Sequence, residues 1–405
     1  MTGRPALRLA VVGIGADGWP GLAPAARALV EEAEVVLGGE RHLALVPDAV
    51  GQVRRPWPTP LTGLPEVLAE CAGRRVVALA SGDPLVSGIG TTLVRMLGAE
   101  AVDLVPAVSS VSLARARMGW SAESSAVVTL VGRDPDALRR ELAPGRRLLV
   151  LSSDETTPAA VAALLVEEGF GDSRLTVLGD LGGAEETRLD FVAAGGAPDG
   201  LPRLNVVALD VAGPGGPAVS WAAGLPDEAF EHDGQITKRD LRASALARLQ
   251  PSPGALLWDV GAGAGSVAIE WLRAHRLTEA VAVEADTARA ARIRRNAGRL
   301  GVPRLDVVEG RAPQALAGLP APDAVFVGGG ATAAGLLQQC RDALRTGGRL
   351  VAHGVTIETE QLLLDAWREH GGELVRVGVE QAAPLGRFSG WSPARAVVQW
   401  AWTKP

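Results

Sequence analysis

The chain has no tyrosine, three methionines and two cysteines. Cys71 and Cys340 lie far apart with no second cysteine near either, which excludes a disulfide framework and a cysteine-rich metal site. No metal is expected, and a reducing cytoplasm fits. Lysine is nearly missing: only Lys238 and Lys404 occur, the other basic residues being arginines, a skew that reads as codon bias and carries no chemistry. The basic residues form no polybasic stretch and the formal net charge is −6, so a nucleic-acid backbone is excluded as the main ligand and small-molecule chemistry moves ahead. The first apolar run, Leu7 to Gly15, is too short to span a bilayer and leads into Ala16-Asp17-Gly18, unlike a cleavable signal. Neither a membrane segment nor a targeting segment is expected. The 50 glycines and 27 prolines follow no triplet period, which excludes collagen-like repetition and suits short elements joined by tight turns.

What remains is an ordinary globular composition, 47% hydrophobic and 21% charged, over 405 residues. A domain usually takes ~100 to 200 residues, so two domains are predicted. A Gly/Pro-rich and then acidic stretch, residues 213–235, separates two zones of regular apolar runs, giving domains at 1–212 and 236–405 with a linker between them. The first zone carries candidate strands at Leu7–Gly15, Glu34–Gly38, Arg75–Ala80 and Val102–Pro106 with helical patterns between them, which predicts a parallel α/β sheet. Beyond Ser121 the rhythm changes, with strands near Ala126–Val131, Arg147–Leu151, Leu175–Gly179 and Leu204–Val211, so this half divides into two lobes. The second zone alternates more cleanly. Strands at Leu256–Val260, Ala280–Glu284, Leu305–Glu309, Ala324–Val327 and Arg349–His353 each precede a helical segment. Glu373–Glu380 and Ala396–Thr403, separated by a loop, close a doubly wound sheet of seven strands as an antiparallel pair.

The most informative segment is Trp258-Asp259-Val260-Gly261-Ala262-Gly263-Ala264-Gly265-Ser266, a strand, a glycine turn and a helix start in that order. Glycines at 261, 263 and 265 allow sharp bends and close backbone approach, and the helix start offers free N–H groups to a nucleotide-like ligand. The dinucleotide fingerprint places its third glycine where this chain has Ser266, and an Asp before the first glycine is the pattern of S-adenosylmethionine (SAM) sites, so SAM is favoured over NAD. Glu284 ends the next strand, where a carboxylate accepts both hydroxyls of a ribose. Glu309-Gly310-Arg311-Ala312-Pro313 sits where backbone borders an adenine; alone it reads equally well as a turn. After the fourth strand stands Phe326-Val327-Gly328-Gly329-Gly330 in place of the Asx/Ser-Pro-Pro-aromatic segment common in enzymes that methylate exocyclic amines, which disfavours an amino-group acceptor.

With Ile236-Thr237-Lys238 and Asp240-Leu241-Arg242 ahead of that turn, residues 224–402 resemble the decarboxylating precorrin methyltransferases of cobalamin synthesis. That resemblance implies SAM contacts at Thr237, Gly261, Ala262, Gly263, Ala264, Gly265, Glu284 and Ala312. The amino-terminal half resembles the tetrapyrrole methylases, a different fold that also binds SAM. Its motifs are Gly13-Ile14-Gly15-Ala16-Asp17-Gly18, Ser81-Gly82-Asp83-Pro84 and Pro106-Ala107-Val108-Ser109-Ser110. The implied contacts are Ser81, Gly82, Asp83, Val86, Ser109 and Ser110, with Val131 and Gly132 on the second lobe; the first loop departs from its relatives by having Ala16-Asp17 where many have Pro-Gly. Fused in this order, the halves resemble the precorrin-6Y C(5,15)-methyltransferase (decarboxylating) family. The resemblance implies a two-lobed tetrapyrrole methylase domain followed by a Rossmann-like methyltransferase domain, one SAM in each. It also implies methylation of precorrin-6B at ring carbons 5 and 15, with loss of the ring C acetate carboxylate to give precorrin-8. An NAD-linked oxidoreductase and a SAM-binding protein without turnover stand as the alternatives.

SAM carries its own activated methyl group, so catalysis would come mainly from holding an electron-rich ring carbon in line with it at ~3 to 3.5 Å. The macrocycle itself can take up the electrons of decarboxylation. A substrate with many carboxylates calls for arginines, and Arg387 and Arg395 are the candidates, each also explicable as a solvated surface residue. His353, ending the fifth strand, is a candidate proton shuttle or a structural histidine. A homo-oligomer is expected.

Overall fold

A computed structural model describes residues 8–216 and 219–405; Leu7 of the first expected strand and Pro217 and Ala218 of the expected linker lie outside them. The chain forms two compact units, Met1–Arg133 with Pro144–Pro214, and Asp134–Ala143 with Gly215–Pro405.

The first unit holds two sheets. Strands β1 (Leu9–Ile14), β2 (Val35–Gly38), β3 (Val53–Pro56), β4 (Val76–Ser81) and β5 (Val102–Val105) are all parallel, in the order β3-β2-β4-β1-β5. Runs such as VVLG are buried at every position, as a sheet covered on both faces requires. The second sheet, β6 (Ala126–Thr129), β7 (Arg147–Leu151), β8 (Arg174–Gly179), β9 (Thr187–Val192) and β10 (Asn205–Asp210), runs in the order β6-β7-β10-β8-β9. Only its β6–β7 pair is parallel. This is the change of rhythm expected beyond Ser121. The sequence reading leaves out β3 and β9, which are edge strands with mostly exposed positions and charged residues.

In the second unit, β11 (Leu256–Val260), β12 (Glu279–Glu284), β13 (Asp306–Glu309), β14 (Ala324–Val327) and β15 (Arg349–Gly354) are parallel. With β16 (Glu373–Val377) and β19 (Val397–Thr403) they build the expected seven-stranded sheet, ordered β13-β12-β11-β14-β15-β19-β16, in which β19 is antiparallel to both neighbours. Alternation sorts its side chains between two cores. Leu257, Ala282 and Phe326 pack on one face, and Leu256, Trp258, Val283 and Val325 on the other. The segment expected to be a loop before β19 is instead a separate hairpin of β17 (Glu380–Leu385) and β18 (Phe388–Pro393).

Two features depart from the expected boundaries. Leu225, Ala229 and Phe230, within the stretch read as linker, are buried in the second unit's core. Residues 134–143, read as part of the first domain, pack with the second unit. Arg140 Nε donates to the Arg273 carbonyl (2.9 Å), and the Arg140 carbonyl accepts from Trp221 Nε1 (2.8 Å).

Candidate functional site

The second unit's sheet reverses its strand order between β11 and β14, and in such sheets ligands bind beyond the carboxyl ends of the strands at that switch point. The turn from β11 into the helix Ser266–Ala274 sits there. Its glycines are left-handed, with φ of +69° at 261, +61° at 263 and +75° at 265. A Cβ at 261 would lie 2.8 Å from the Gly329 carbonyl oxygen, one at 263 would lie 2.7 Å from that of Gln235, and one at 265 would lie 2.7 Å from Ile293 Cγ2. The sequence reading took these glycines as making way for a ligand; their Cβ directions face protein, and they let the loops at Gln235 and Gly329 and the helix Thr287–Arg299 pack against the turn. Glu284, buried at the end of β12, ties the turn down. Its Oε2 accepts from Gly263 N (2.8 Å) and its Oε1 from Asp286 N (3.0 Å).

Asp259 is not in the cleft. Its Oδ2 accepts from Ala268 N (3.0 Å) in the first turn of the helix, while Oδ1 is buried with no partner among the described residues. Complete burial pushes this carboxyl up to about 7, and the nearby Glu284 charge adds to the rise.

Thr237 is delivered by a buried latch. Arg242, fully buried on the helix Arg239–Leu249, donates to Glu270 (2.6 Å), Asp227 (3.2 Å) and the carbonyls of Thr237 and Leu225. Glu270 also accepts from the backbone N–H of Gly224 (2.6 Å) and Leu225 (2.9 Å).

Together these elements enclose a cavity of about 1190 Å³. Of the residues singled out from sequence, Thr237, Gly261, Ala262, Gly263, Glu284, Ala312, His353 and Arg395 line it. Ala264 and Gly265 do not; Ala264 is fully buried behind the turn. Arg387 does not either. It lies at the tip of the β17–β18 hairpin, its guanidinium 5.1 Å from the Phe388 ring centroid. Sequence reasoning missed Arg239 and named Arg311 only as part of the Glu309–Pro313 segment; both line the cavity and, like Arg395, have no carboxylate partner among the described residues. Their signal was slight, since each is one arginine among many.

His353 sits at the cavity wall with its ring edge-on to Phe326 (centroids 4.9 Å apart) and Nε2 2.9 Å from the Gln399 side-chain amide. Burial lowers its pKa to about 4, outweighing that hydrogen bond. The sequence reading weighed a proton shuttle against a structural histidine, and a buried ring with Nε2 engaged favours the second.

In the first unit, the carboxyl ends of β1, β4 and β5 converge. A Cβ at Gly13 would lie 1.9 Å from the Gly82 carbonyl oxygen and 2.7 Å from Ala107 N, and one at Gly82 (φ +49°) would lie 3.0 Å from the Val108 carbonyl oxygen. The Ser81–Asp83 and Val108–Ser110 loops are thereby brought together. Asp83 Oδ1 accepts from Leu85 N (2.8 Å), shaping one loop. Ser109 caps the helix Ser110–Met118 by accepting from Ser112 N (3.1 Å), shaping the other. Val86 instead packs into the core that this helix shares with the second sheet. Val131 and Gly132 follow β6 on that sheet's edge, Val131 half exposed, and no hydrogen bond among the described residues ties them to either loop. Two further residues unnoticed in the sequence hold Ser81. Arg41 donates to its hydroxyl (3.2 Å), and His42 Nε2 lies 2.8 Å from it. Burial first, then the adjacent Arg41 charge, lowers His42 to about 4.

Two family models match, one for tetrapyrrole (corrin/porphyrin) methylases over residues 8–193 and one for the precorrin methyltransferase domain over 228–404. A precorrin-6Y C(5,15)-methyltransferase (decarboxylating) of Sinorhizobium sp. is 47% identical over 98% of this chain and 96% of its own length. The chain belongs to that family. Two shorter relatives each match part of it. A cobalt-precorrin-7 C(5)-methyltransferase of Salmonella typhimurium is 32% identical over 50% of this chain and 98% of its own. A probable cobalt-precorrin-6B C(15)-methyltransferase (decarboxylating) of Pyrobaculum calidifontis is 34% identical over 41% of this chain and 88% of its own. Among the described residues, no helix is long and apolar enough to cross a membrane and no group of three or more His, Cys, Asp and Glu is placed to hold a metal ion.

Proposed function

We propose that this member of the decarboxylating C(5,15)-methyltransferase family binds one S-adenosylmethionine in each unit and methylates a precorrin tetrapyrrole at carbons 5 and 15, removing an acetate carboxylate as carbon dioxide. The observation that carries this reading is the second unit's cavity, walled by the Gly261–Gly263 turn, Glu284 and Ala312 and lined by three arginines with no ion-pair partner among the described residues. At about 1190 Å³ it exceeds the ~300 to 1,000 Å³ of most small-molecule pockets, room for a donor and a large acceptor together.

The buried donors and acceptors fit an adenosyl group. Each Glu284 oxygen accepts one backbone N–H and keeps a lone pair for a ribose hydroxyl. Gly261–Gly263, Ala312 and Thr237 border the rest, and Gly328–Gly330, packed against the turn at Gly261, leaves that wall without side chains. Bound there, S-adenosylmethionine supplies a methyl group already activated on sulfonium. Arg239, Arg311 and Arg395 hold and orient the acceptor's carboxylates, which the negative chain as a whole would repel. In the first unit the Ser81–Asp83 and Ser109–Ser110 loops take the equivalent part, Arg41 and His42 fixing the Ser81 hydroxyl.

The names of the two shorter relatives support carbon 5 for the tetrapyrrole methylase unit and carbon 15 with decarboxylation for the other. Two free, buried cysteines support a cytoplasmic location. The exposed Leu385 and Phe388, paired across the tip of the β17–β18 hairpin, offer an apolar contact for a homo-oligomer.

Incubation with labelled S-adenosylmethionine and precorrin-6B, followed by mass spectrometry, tests the reading: two added methyl groups with loss of carbon dioxide are expected. A chain that binds the donor but returns unmethylated substrate overturns it.

A further inference from the structure

Behind His353 lies a polar chain whose direction is set by charge. Arg248, on the helix Arg239–Leu249, is held by a two-point ion pair to Glu373 of β16, Nε to Oε2 at 2.8 Å and Nη2 to Oε1 at 2.6 Å. Its Nη1 also donates to the Ser244 hydroxyl (2.9 Å), one turn earlier on that helix. Against these groups stands the fully buried side chain of Gln399, on β19. An arginine can only donate, so the amide face turned to it must be the oxygen; the NH2 there would oppose one set of donors to another at a fully buried side chain. In that orientation the Gln399 oxygen accepts from Arg248 Nε (3.1 Å), Arg248 Nη1 (3.3 Å) and the Ser244 hydroxyl (3.2 Å), and its NH2 donates to His353 Nε2 (2.9 Å).

From this geometry we infer that Arg248 and Gln399 are positioning residues that fix the tautomer of His353, obliging Nε2 to accept and Nδ1 to carry the proton, so that the ring presents a neutral, permanent N–H donor to the ligand in the cavity. A histidine with both nitrogens unassigned would exchange tautomers and take up protons near neutrality; this one is barred from doing either. No charged side chain acts on the ring directly. Burial, the Gln399 hydrogen bond and the Phe326 edge are its surroundings, and Arg248, itself paired with Glu373, reaches it only through the amide. Nδ1 makes no hydrogen bond to protein among the described residues, and the ring lines the cavity. The ligand atom suited to such a donor is an acceptor that does not need to return a proton, a carboxylate oxygen above all. Only this identification of the acceptor rests on the proposed substrate; the tautomer does not.

Nitrogen-15 correlation spectra of the ligand-free full chain read the tautomer directly. The chain has five histidines, and His353→Gln assigns the signal. The expected spectrum shows Nδ1–H alone, unchanged down to about pH 5. Gln399→Glu replaces the donor with a carboxylate, which should move the proton to Nε2 and raise the midpoint by about one to three units. Arg248→Met frees the amide to turn and should give a mixture of tautomers. Wild-type protein carrying its proton on Nε2, or titrating near 6.5, overturns the inference whether or not either variant folds. A Gln399→Glu spectrum identical to wild type overturns it too. Failure of methyl transfer with the expected spectra intact would count against the substrate reading and leave the tautomer standing.

Discussion

At the scale of single residues, the most consequential group is one that never touches the cavity. Asp259 secures the helix Ser266–Ala274 through Ala268 N, yet its second oxygen is buried without a partner and Glu284 lies close enough to disfavour a second charge. Its carboxyl is therefore raised from 3.8 to about 7 in the folded chain. Between those two values the native state holds a proton that the unfolded chain has released, so stability falls as pH rises through the window and levels off above it. Asp259→Asn keeps an oxygen for Ala268 N and removes the titration. Relative to wild type, the variant should gain about 2–3 kcal/mol in the unfolding transition of the second unit between pH 5 and pH 8, at about 1.4 kcal/mol per pH unit up to about pH 7 and little beyond it. Parallel denaturant curves at the two pH values would show that Asp259 stays ionised in the fold.

Among elements, the segment 224–237 has little regular structure and owes its course to Arg242. The guanidinium lies 4.7 Å from the Phe230 ring centroid and bonds two carboxylates and two carbonyls with no exposed surface. Removing one partner of a buried ion network costs roughly 3–5 kcal/mol, because the others are left buried and uncompensated. Arg242→Met should therefore lower stability by about that much and, in hydrogen exchange, free the amides of Gly224 and Leu225 that now donate to Glu270. Unchanged protection there would mean that the segment holds itself. This latch also marks how far the sequence could be read. The turn after Trp258 and the acid at 284 were legible because left-handed glycines and a carboxylate at a strand end have few other uses, and the seven-strand alternation because buried strands are apolar throughout. Contacts that span the chain leave no local period. The joining of residues 134–143 to the second unit, the Arg41–His42 clasp on Ser81 and the Arg248–Gln399–His353 relay each depend on residues that look like ordinary surface polars until the fold brings them together. The β17–β18 hairpin was missed for a related reason: mostly exposed on both faces and bearing Pro384 and Pro393, it has no buried stripe to announce it.

At the scale of the whole molecule, each unit closes its own sheets, the second around a glycine-bounded cavity and the first with glycine-bounded loops converging at strand carboxyl ends, so donor binding should be separable while the chain stays intact. Calorimetry with S-adenosylmethionine is expected to give two sites per chain. Gly263→Arg adds a side chain where φ is +61° and a Cβ already meets the Gln235 carbonyl oxygen at 2.7 Å, which should remove the site in the second unit. Asp83→Arg deletes the acceptor that shapes the loop after Ser81 and should remove the site in the first. With precorrin-6B, the products should part in a matching way. The Gly263 variant should lose decarboxylation, whereas the Asp83 variant should still add one methyl group and release carbon dioxide. One binding event in wild type, or loss of both sites in either variant, would show that the clefts do not bind the donor independently.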